Sequence, residues 1–155
     1  MGARIQNPVM TIPGLFDALQ ALEATTKVEG LSQEIRELVA IRASQINGCS
    51  VCLDMHIRGA RKGGESDERL STLAAWRDAP YFTEAERAAL ALAEAATRLS
   101  DRADAVPDDI WSDAAKYFDE PALAALVVII ASINLWNRMN IATGQIAGEW
   151  TAQFV

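Results

Sequence analysis

The sequence predicts an all-α single domain, and three observations carry that prediction. Half of its 155 residues are hydrophobic, alanine is abundant and β-branched alternation is scarce, a composition that favours packed helices over sheets. Apolar residues recur at the three- and four-residue spacing of one helix face. No internal repeat, low-complexity tract or Gly/Ser-rich linker divides the chain, so residues 1–155 are read as one helical bundle with short turns.

Each element has its own signals. Pro13 can take a first-turn position and Gly30 a C-terminal stop around Leu15, Phe16, Leu19 and Leu22, which predicts an amphipathic helix. Ser32 offers an N-cap for a second helix carrying Ile35, Leu38, Val39, Ile41, Arg42 and Ile46. Asn47-Gly48 tolerates positive φ and so ends that helix and redirects the chain. A third helix begins there and stops near Gly63-Gly64. Ser66 and Asp67 cap a short one through Leu70, Leu73 and Trp76, ended by Asp78-Ala79-Pro80 because the residue before proline disfavours the helical region. Thr83-Glu84-Ala85-Glu86 matches a capping box ahead of Leu90, Leu92, Ala93, Ala96 and Leu99, the clearest helix start in the sequence. Pro107 opens a helix through Ile110, Trp111, Ala114 and Phe118, and Pro121 opens a long apolar one that runs towards Thr143-Gly144. With a short final segment from Gln145 to Phe154, the count is about seven helices.

Charge and hydropathy restrict the partners. A net charge of -7 and a pI near 4.7, without any Lys/Arg cluster, repel phosphate backbones and anionic lipid headgroups, so neither nucleic acid nor a membrane is expected as a partner. Met1 to Met10 lacks the pattern of a secretory signal, which makes the cytoplasm the expected address. The most apolar stretch, Ala122 to Ile133, is shorter than the roughly 20 residues of a bilayer span and reads as a buried core or subunit-interface helix. Asn134, Asn137 and Arg138 follow it and are expected in an inter-helix or inter-subunit polar network. The four tryptophans are expected to be packing anchors.

The chemistry concentrates in Gly48-Cys49-Ser50-Val51-Cys52-Leu53-Asp54-Met55-His56, which holds both cysteines and the only histidine of the chain. At about 100° per residue, Cys49, Cys52 and His56 share one helix face over two turns. A bridge across one helical turn closes almost no loop and the expected compartment is reducing, so the cysteines point to chemistry rather than to a structural crosslink. Free N–H groups and the dipole at a helix start favour thiolate over thiol, which by itself favours Cys49 as nucleophile. Spacing i, i+3 suits a reversible dithiol/disulfide pair. His56, one turn after Cys52, can accept the thiol proton. Such a base needs an orienter, and a fold-back at Asn47-Gly48 brings Glu37 over the cysteine face, giving a relay from Glu37 to His56 to Cys52. Two other readings use the same residues: inert core cysteines, and a zinc site from Cys49, Cys52, His56 and Glu37, although structural zinc usually draws its ligands from two separated pairs.

These residues also carry a family resemblance. From Leu31 to Asp101, Glu37-Leu38, Arg42-Ala43-Ser44-Gln45-Ile46-Asn47-Gly48-Cys49, Cys52, His56, Ala60-Arg61, Gly63, Trp76, Phe82 and Glu86-Arg87 resemble the carboxymuconolactone decarboxylase and AhpD-like alkylhydroperoxidase family. The spacing of Glu, twelve residues to Cys, three to Cys and four to His is that of its peroxidase branch. Ile133-Asn134-Leu135-Trp136-Asn137-Arg138 resembles the family's last core helix. The resemblance implies an AhpD-like helical fold, a homo-oligomer, commonly a trimer or hexamer, and reduction of a hydroperoxide through a redox-active disulfide; the chain is read as an antioxidant thiol peroxidase with no bound metal, flavin or haem. The resemblance also implies Cys52 as peroxidatic thiolate, Cys49 as resolving thiol, Glu37 and His56 as proton carriers, and a thiol or lipoyl reductant. With one copy of the motif and Val51 between the cysteines, the chain resembles the compact members. Four rival functions stay open: a disulfide reductase without peroxidase activity, a lactone decarboxylase, a metal-binding module and a non-enzymatic oligomeric scaffold.

Overall fold

The computed structural model describes residues 2–101 and 103–155, with the side chains at positions 149, 150 and 152 outside the description. Eight α-helices follow in order among these residues: α1 Pro8–Thr11, α2 Leu15–Thr25, α3 Gln33–Asn47, α4 Ser50–Lys62, α5 Asp67–Thr72, α6 Glu84–Thr97, α7 Asp108–Ala114 and α8 Glu120–Thr143. Three 3-10 turns accompany them, at Leu73–Ala75, Leu99–Asp101 and Glu149–Phe154. No strand occurs among the described residues.

The expected caps form where the local chemistry put them. Ser32, Ser66 and Thr83 each accept a backbone N–H three residues on, and Thr83 and Glu86 complete the reciprocal capping box. Thr83→Ala is therefore expected to cost about 1 kcal/mol, read as a lowered urea midpoint with unchanged slope. Gly48 and Gly144 end α3 and α8 in the left-handed region, at φ 73° and 69°.

Several details differ from the sequence expectation, among them the ends of α5, α6 and α7 at Thr72, Thr97 and Ala114, short of Trp76, Leu99 and Phe118. The short α1 adds a helix, and four residues carry too little periodicity to announce one. Pro13 precedes Gly14, the N-cap of α2, rather than occupying the first turn. α2 stops at Thr25, five residues before Gly30, where the Thr25 and Thr26 hydroxyls donate back to the carbonyls of Leu22 and Glu23. Trp111 is 42% exposed on α7, whereas Trp76 is buried and Trp136 is partly buried with its indole N–H on Glu23, so the packing reading fails at Trp111. For Trp150 it lies outside the described side chains.

α3 is the central rod, packed against α4, α6 and α8. Contact on three sides explains why Leu38, Val39, Ala40, Ile41, Ala43 and Ser44 are all buried, with little of the polar face a surface helix keeps. One core cluster joins Val39 to Ala89, Leu92 and Ala93 of α6 and to Leu126 and Ile130 of α8. A second places Leu38 and Ile41 against Leu70, Leu73, Trp76 and Phe82. The third is small: Ala40, Ala43, Cys49, Val51, Cys52 and Ile133. Its alanines let α4 come close to α3, and both sulfur atoms sit in that contact.

α8 runs 24 residues and is long and apolar enough to cross a membrane by length and composition, well beyond the Ala122–Ile133 stretch. In this fold 56% of its most apolar window is buried, and Ser132, Asn134 and Asn137 are buried with it. Val127, Leu135 and Ile141 stay exposed on its outer side.

Candidate functional site

The site is built on the turn between α3 and α4. The N–H groups of Gly48 and Cys49 both donate to the Ser44 carbonyl, at 2.9 and 3.1 Å, which closes α3 and reverses the chain through the positive φ of Gly48. Cys49 is extended and forms the N-cap of α4, with its Sγ accepting the backbone N–H of Cys52 at 3.3 Å. The two residues are joined as a disulfide with Cα atoms 5.4 Å apart, inside the usual range for such a bond. Cys49 is 1% exposed and Cys52 3%.

The reversal brings α3 against α4 so that Glu37 meets His56. Glu37 Oε2 lies 2.7 Å from His56 Nδ1, and Gln33 Nε2 donates to the other carboxylate oxygen at 2.7 Å. A carboxylate can only accept, so a neutral His56 ring facing it would donate from Nδ1 and keep the Nε2 lone pair for a second partner, the tautomer of a base. Glu37 and His56 thus meet as the fold-back argument expected. Gly59 makes room beside them: a Cβ there would stand 3.7 Å from Glu37 Oε1 and 3.2 Å from the terminal Val155. The C-terminal 3-10 turn packs along α4, where the fully buried Thr151 bonds through its hydroxyl to Asp54. That bond, with the hydrogen bond and charge of Arg58, holds the Asp54 carboxyl below its ordinary value.

The far side of the turn is tied to α8. Asn47 Nδ2 donates to Asn134 Oδ1 and Asn137 Oδ1 at 2.9 and 2.8 Å, and Asn137 Nδ2 donates to Ser44 Oγ at 3.0 Å. Asn134 Nδ2 reaches Thr97 Oγ1 on α6 at 3.1 Å, so the network joins three helices within one chain. Arg138 takes part through its contacts with Asn134.

One contact at the sulfur itself has no counterpart among the sequence expectations. Asn140 Nδ2 donates to Cys52 Sγ at 3.4 Å, across 88 residues of chain. The available signal was periodic: Asn140 lies one helical turn beyond Asn137, on the row of polar residues that already includes Asn134. As for zinc, no three His, Cys, Asp or Glu side chains converge as a ligand set among the described residues.

Residues 13–95 match the model of the Carboxymuconolactone decarboxylase family, more than half of the chain and all four of Glu37, Cys49, Cys52 and His56. The chain belongs to that family. Within and around it, the uncharacterized protein YdfG of Bacillus subtilis is 40% identical over 128 residues, covering 83% of this chain and 86% of YdfG. A solved structure from Agrobacterium tumefaciens, ATU0492, is that of a protein of unknown function assigned provisionally to antioxidant defence as AhpD. It superposes with a TM-score of 0.86 at 33% identity, over 95% of this chain and 99% of its own. The debrominase Bmp8 superposes with a TM-score of 0.79 at 23% identity, over 94% of this chain and 77% of its own, a likeness of fold alone. This member of the Carboxymuconolactone decarboxylase family accordingly has the AhpD-like helical fold and carries a Cys-x-x-Cys pair.

Proposed function

We propose that this chain is a thiol peroxidase that reduces organic hydroperoxides or hydrogen peroxide through the Cys49/Cys52 pair. The observation that carries the reading is the disulfide at the start of α4 together with a Glu37–His56 hydrogen bond that joins α3 to the same helix. In the first step the Cys52 thiolate attacks one oxygen of the O–O bond, that bond breaks, and the leaving alkoxide takes a proton, so the peroxide is reduced to alcohol while Cys52 becomes a sulfenic acid. Next, the Cys49 thiolate attacks the sulfenic sulfur and expels hydroxide, which leaves as water, and the pair ends as the disulfide. His56 takes the thiol proton and returns it to the leaving oxygen, while Glu37 fixes its tautomer. A dithiol of the thiol or lipoyl class then restores the reduced pair by exchange.

Burial bears on the rivals. With the sulfurs 1% and 3% exposed at residue level, a small peroxide suits the site better than the disulfide of a folded protein, which favours peroxidase over general disulfide reductase. The test is stopped-flow loss of two thiols per reduced chain on mixing with cumene hydroperoxide. Thiols that stay reduced while exchange with small disulfides is fast would give the reductase reading instead. Turnover of a muconolactone after both cysteines become serine would give the decarboxylase reading, and stoichiometric zinc surviving dialysis the metal-binding one. His56→Gln is expected to slow thiol oxidation about a hundredfold, and a rate that ignores His56 would leave an oligomeric scaffold with incidental thiols.

The proposal extends to a cytoplasmic homo-oligomer, a trimer or hexamer. The exposed Val127, Leu135 and Ile141 on the outer side of α8 supply an apolar stripe of the kind that subunits bury. Light scattering is expected to give a mass of three or six chains of 16.8 kDa, and a monomer mass would overturn that part of the reading.

A further inference from the structure

We infer that Asn140 tunes the redox pair, its amide N–H stabilising Cys52 as a thiolate and shifting the pair towards its reduced form. The inference rests on the thiol chemistry proposed above and adds a residue outside the matched region, since the family match ends at residue 95.

The hydrophobic cluster that holds Cys52 consists of Ala40, Ala43, Cys49, Val51, Ile133 and, partly buried, Met55 and Trp136, and Cys52 itself is 3% exposed. A thiolate in such a setting lacks water, and burial alone would favour the neutral thiol. Of the ionisable side chains on the packed helices, His56 is held by Glu37 and is the proton acceptor proposed above, while Asp54 pairs with Arg58 and Thr151, Arg42 with Glu94 and Arg138 with Asn134. Asn140 Nδ2, at 3.4 Å, is the side-chain donor that α8 brings to this sulfur.

A neutral donor acts unequally on the three states of the sulfur. It bonds weakly to a disulfide or a thiol and strongly to a thiolate, because a hydrogen bond to an ionised acceptor is roughly twice as strong. The difference lowers the energy of reduced, ionised Cys52 relative to both other states. It also evens the balance between the two cysteines. Cys49 has the helix start, its Sγ taking the backbone N–H of Cys52, while Cys52 has the Asn140 amide. Each sulfur therefore has one donor, and the helix-end advantage of Cys49 no longer decides the nucleophile.

Turnover is a poor readout for this role. A lower thiol pKa raises the thiolate fraction but weakens the thiolate as a nucleophile, and near neutral pH the two effects partly cancel. The direct measurements are ionisation and redox equilibrium, both made without peroxide. In a Cys49→Ser background only Cys52 titrates by thiolate absorbance. There Asn140→Leu is expected to raise its pKa by about one unit, a tenfold loss of thiolate on the low-pH side. Asn140→Asp, close in shape but placing an acceptor where the donor was, is expected to raise it further. In the two-cysteine protein, equilibration with glutathione at a pH above the Cys52 pKa of both proteins is expected to move about tenfold towards disulfide in Asn140→Leu, equivalent to about 30 mV for two electrons. Asn140 is partly exposed, so both variants are expected to fold, checked by helical circular dichroism, and the Asp variant carries the test if the Leu one does not. An unchanged titration or an unchanged glutathione equilibrium in a folded variant would overturn the inference and leave the peroxidase reading untouched. A wild-type protein inert to hydroperoxide would do the reverse.

Discussion

Cys52→Ser is expected to abolish hydroperoxide-driven thiol loss, leaving only the uncatalysed reaction, because a serine hydroxyl at neutral pH offers no anion to attack the O–O bond. Cys49→Ser is expected to fail differently. Cys52 would still be oxidised once, and the sulfenic acid, with no neighbouring thiol to displace hydroxide, would persist long enough to be trapped by dimedone. Mass spectrometry of the two reduced variants after one equivalent of cumene hydroperoxide separates the cases: no adduct for Cys52→Ser, one dimedone adduct per chain for Cys49→Ser. The opposite pattern would make Cys49 the nucleophile, as its N-cap position alone suggests. Full thiol oxidation in both variants would remove the pair from the mechanism altogether. The distinction matters because geometry gives each sulfur a hydrogen-bond donor, and only reactivity ranks them.

How much of this was legible beforehand depended on the distance over which each feature is encoded. Caps are local: Ser32, Ser66 and Thr83 each satisfy an N–H three residues away, so type and position suffice to read them. The alignment of Cys49, Cys52 and His56 is equally local, fixed by helical pitch alone. Glu37 required one further step, the reversal at Gly48, and glycine in a left-handed conformation is the residue that announces such a reversal. Beyond that, local information ends. Asn140 reaches Cys52 because α8 packs on α3 and α4, and Thr151 reaches Asp54 because the C-terminal turn lies along α4. The Thr151 pairing leaves no spacing in the sequence, and the row of Asn134, Asn137 and Asn140 marks a polar face without naming the sulfur it meets. Trp111 shows the opposite limit: its place on an apolar helical row predicts burial, yet the seven-residue α7 leaves it 42% exposed.

The largest stability effect is expected from a residue remote from the sulfurs. Glu94 on α6 is 6% exposed and accepts three hydrogen bonds: from Arg42 Nε of α3 at 2.8 Å, from the Trp76 indole at 2.9 Å and from Arg77 Nη1 at 2.7 Å. Glu94→Leu would leave the nearly buried Arg42 guanidinium without its counter-ion and the indole N–H without an acceptor. Removing one partner of a buried pair costs about 3–5 kcal/mol, a large share of the roughly 5–15 kcal/mol by which domains are stable. Glu94→Gln keeps an acceptor and is expected to lose less. Arg77, largely exposed, should matter little, and Arg77→Ala is expected to cost under about 1 kcal/mol.

Acid provides an independent check. Burial by itself would raise the Glu94 carboxyl, but the bonds from Trp76, Arg77 and Arg42 outweigh it and hold the group below its ordinary value of 4.5. Glu86 behaves alike: burial raises it, and Arg69 with Thr83 more than compensates. A carboxylate lowered in the folded state contributes stability that is fully present above the unfolded value and lost as pH falls through the folded one. The urea midpoint of the wild type is therefore expected to fall as pH drops below about 4.5, and the fall to be shallower in Glu94→Gln. An equal acid slope in both proteins, or a Glu94→Leu protein as stable as wild type, would show that the carboxylate does not hold the helices together. Arg42 stands five residues after Glu37 on α3, so the bond that fixes α3 to α6 also fixes the rod from which Glu37 reaches His56. Loosening it is expected to lower the thiol-oxidation rate by misplacing that carboxylate, in a protein whose cysteines and histidine are intact.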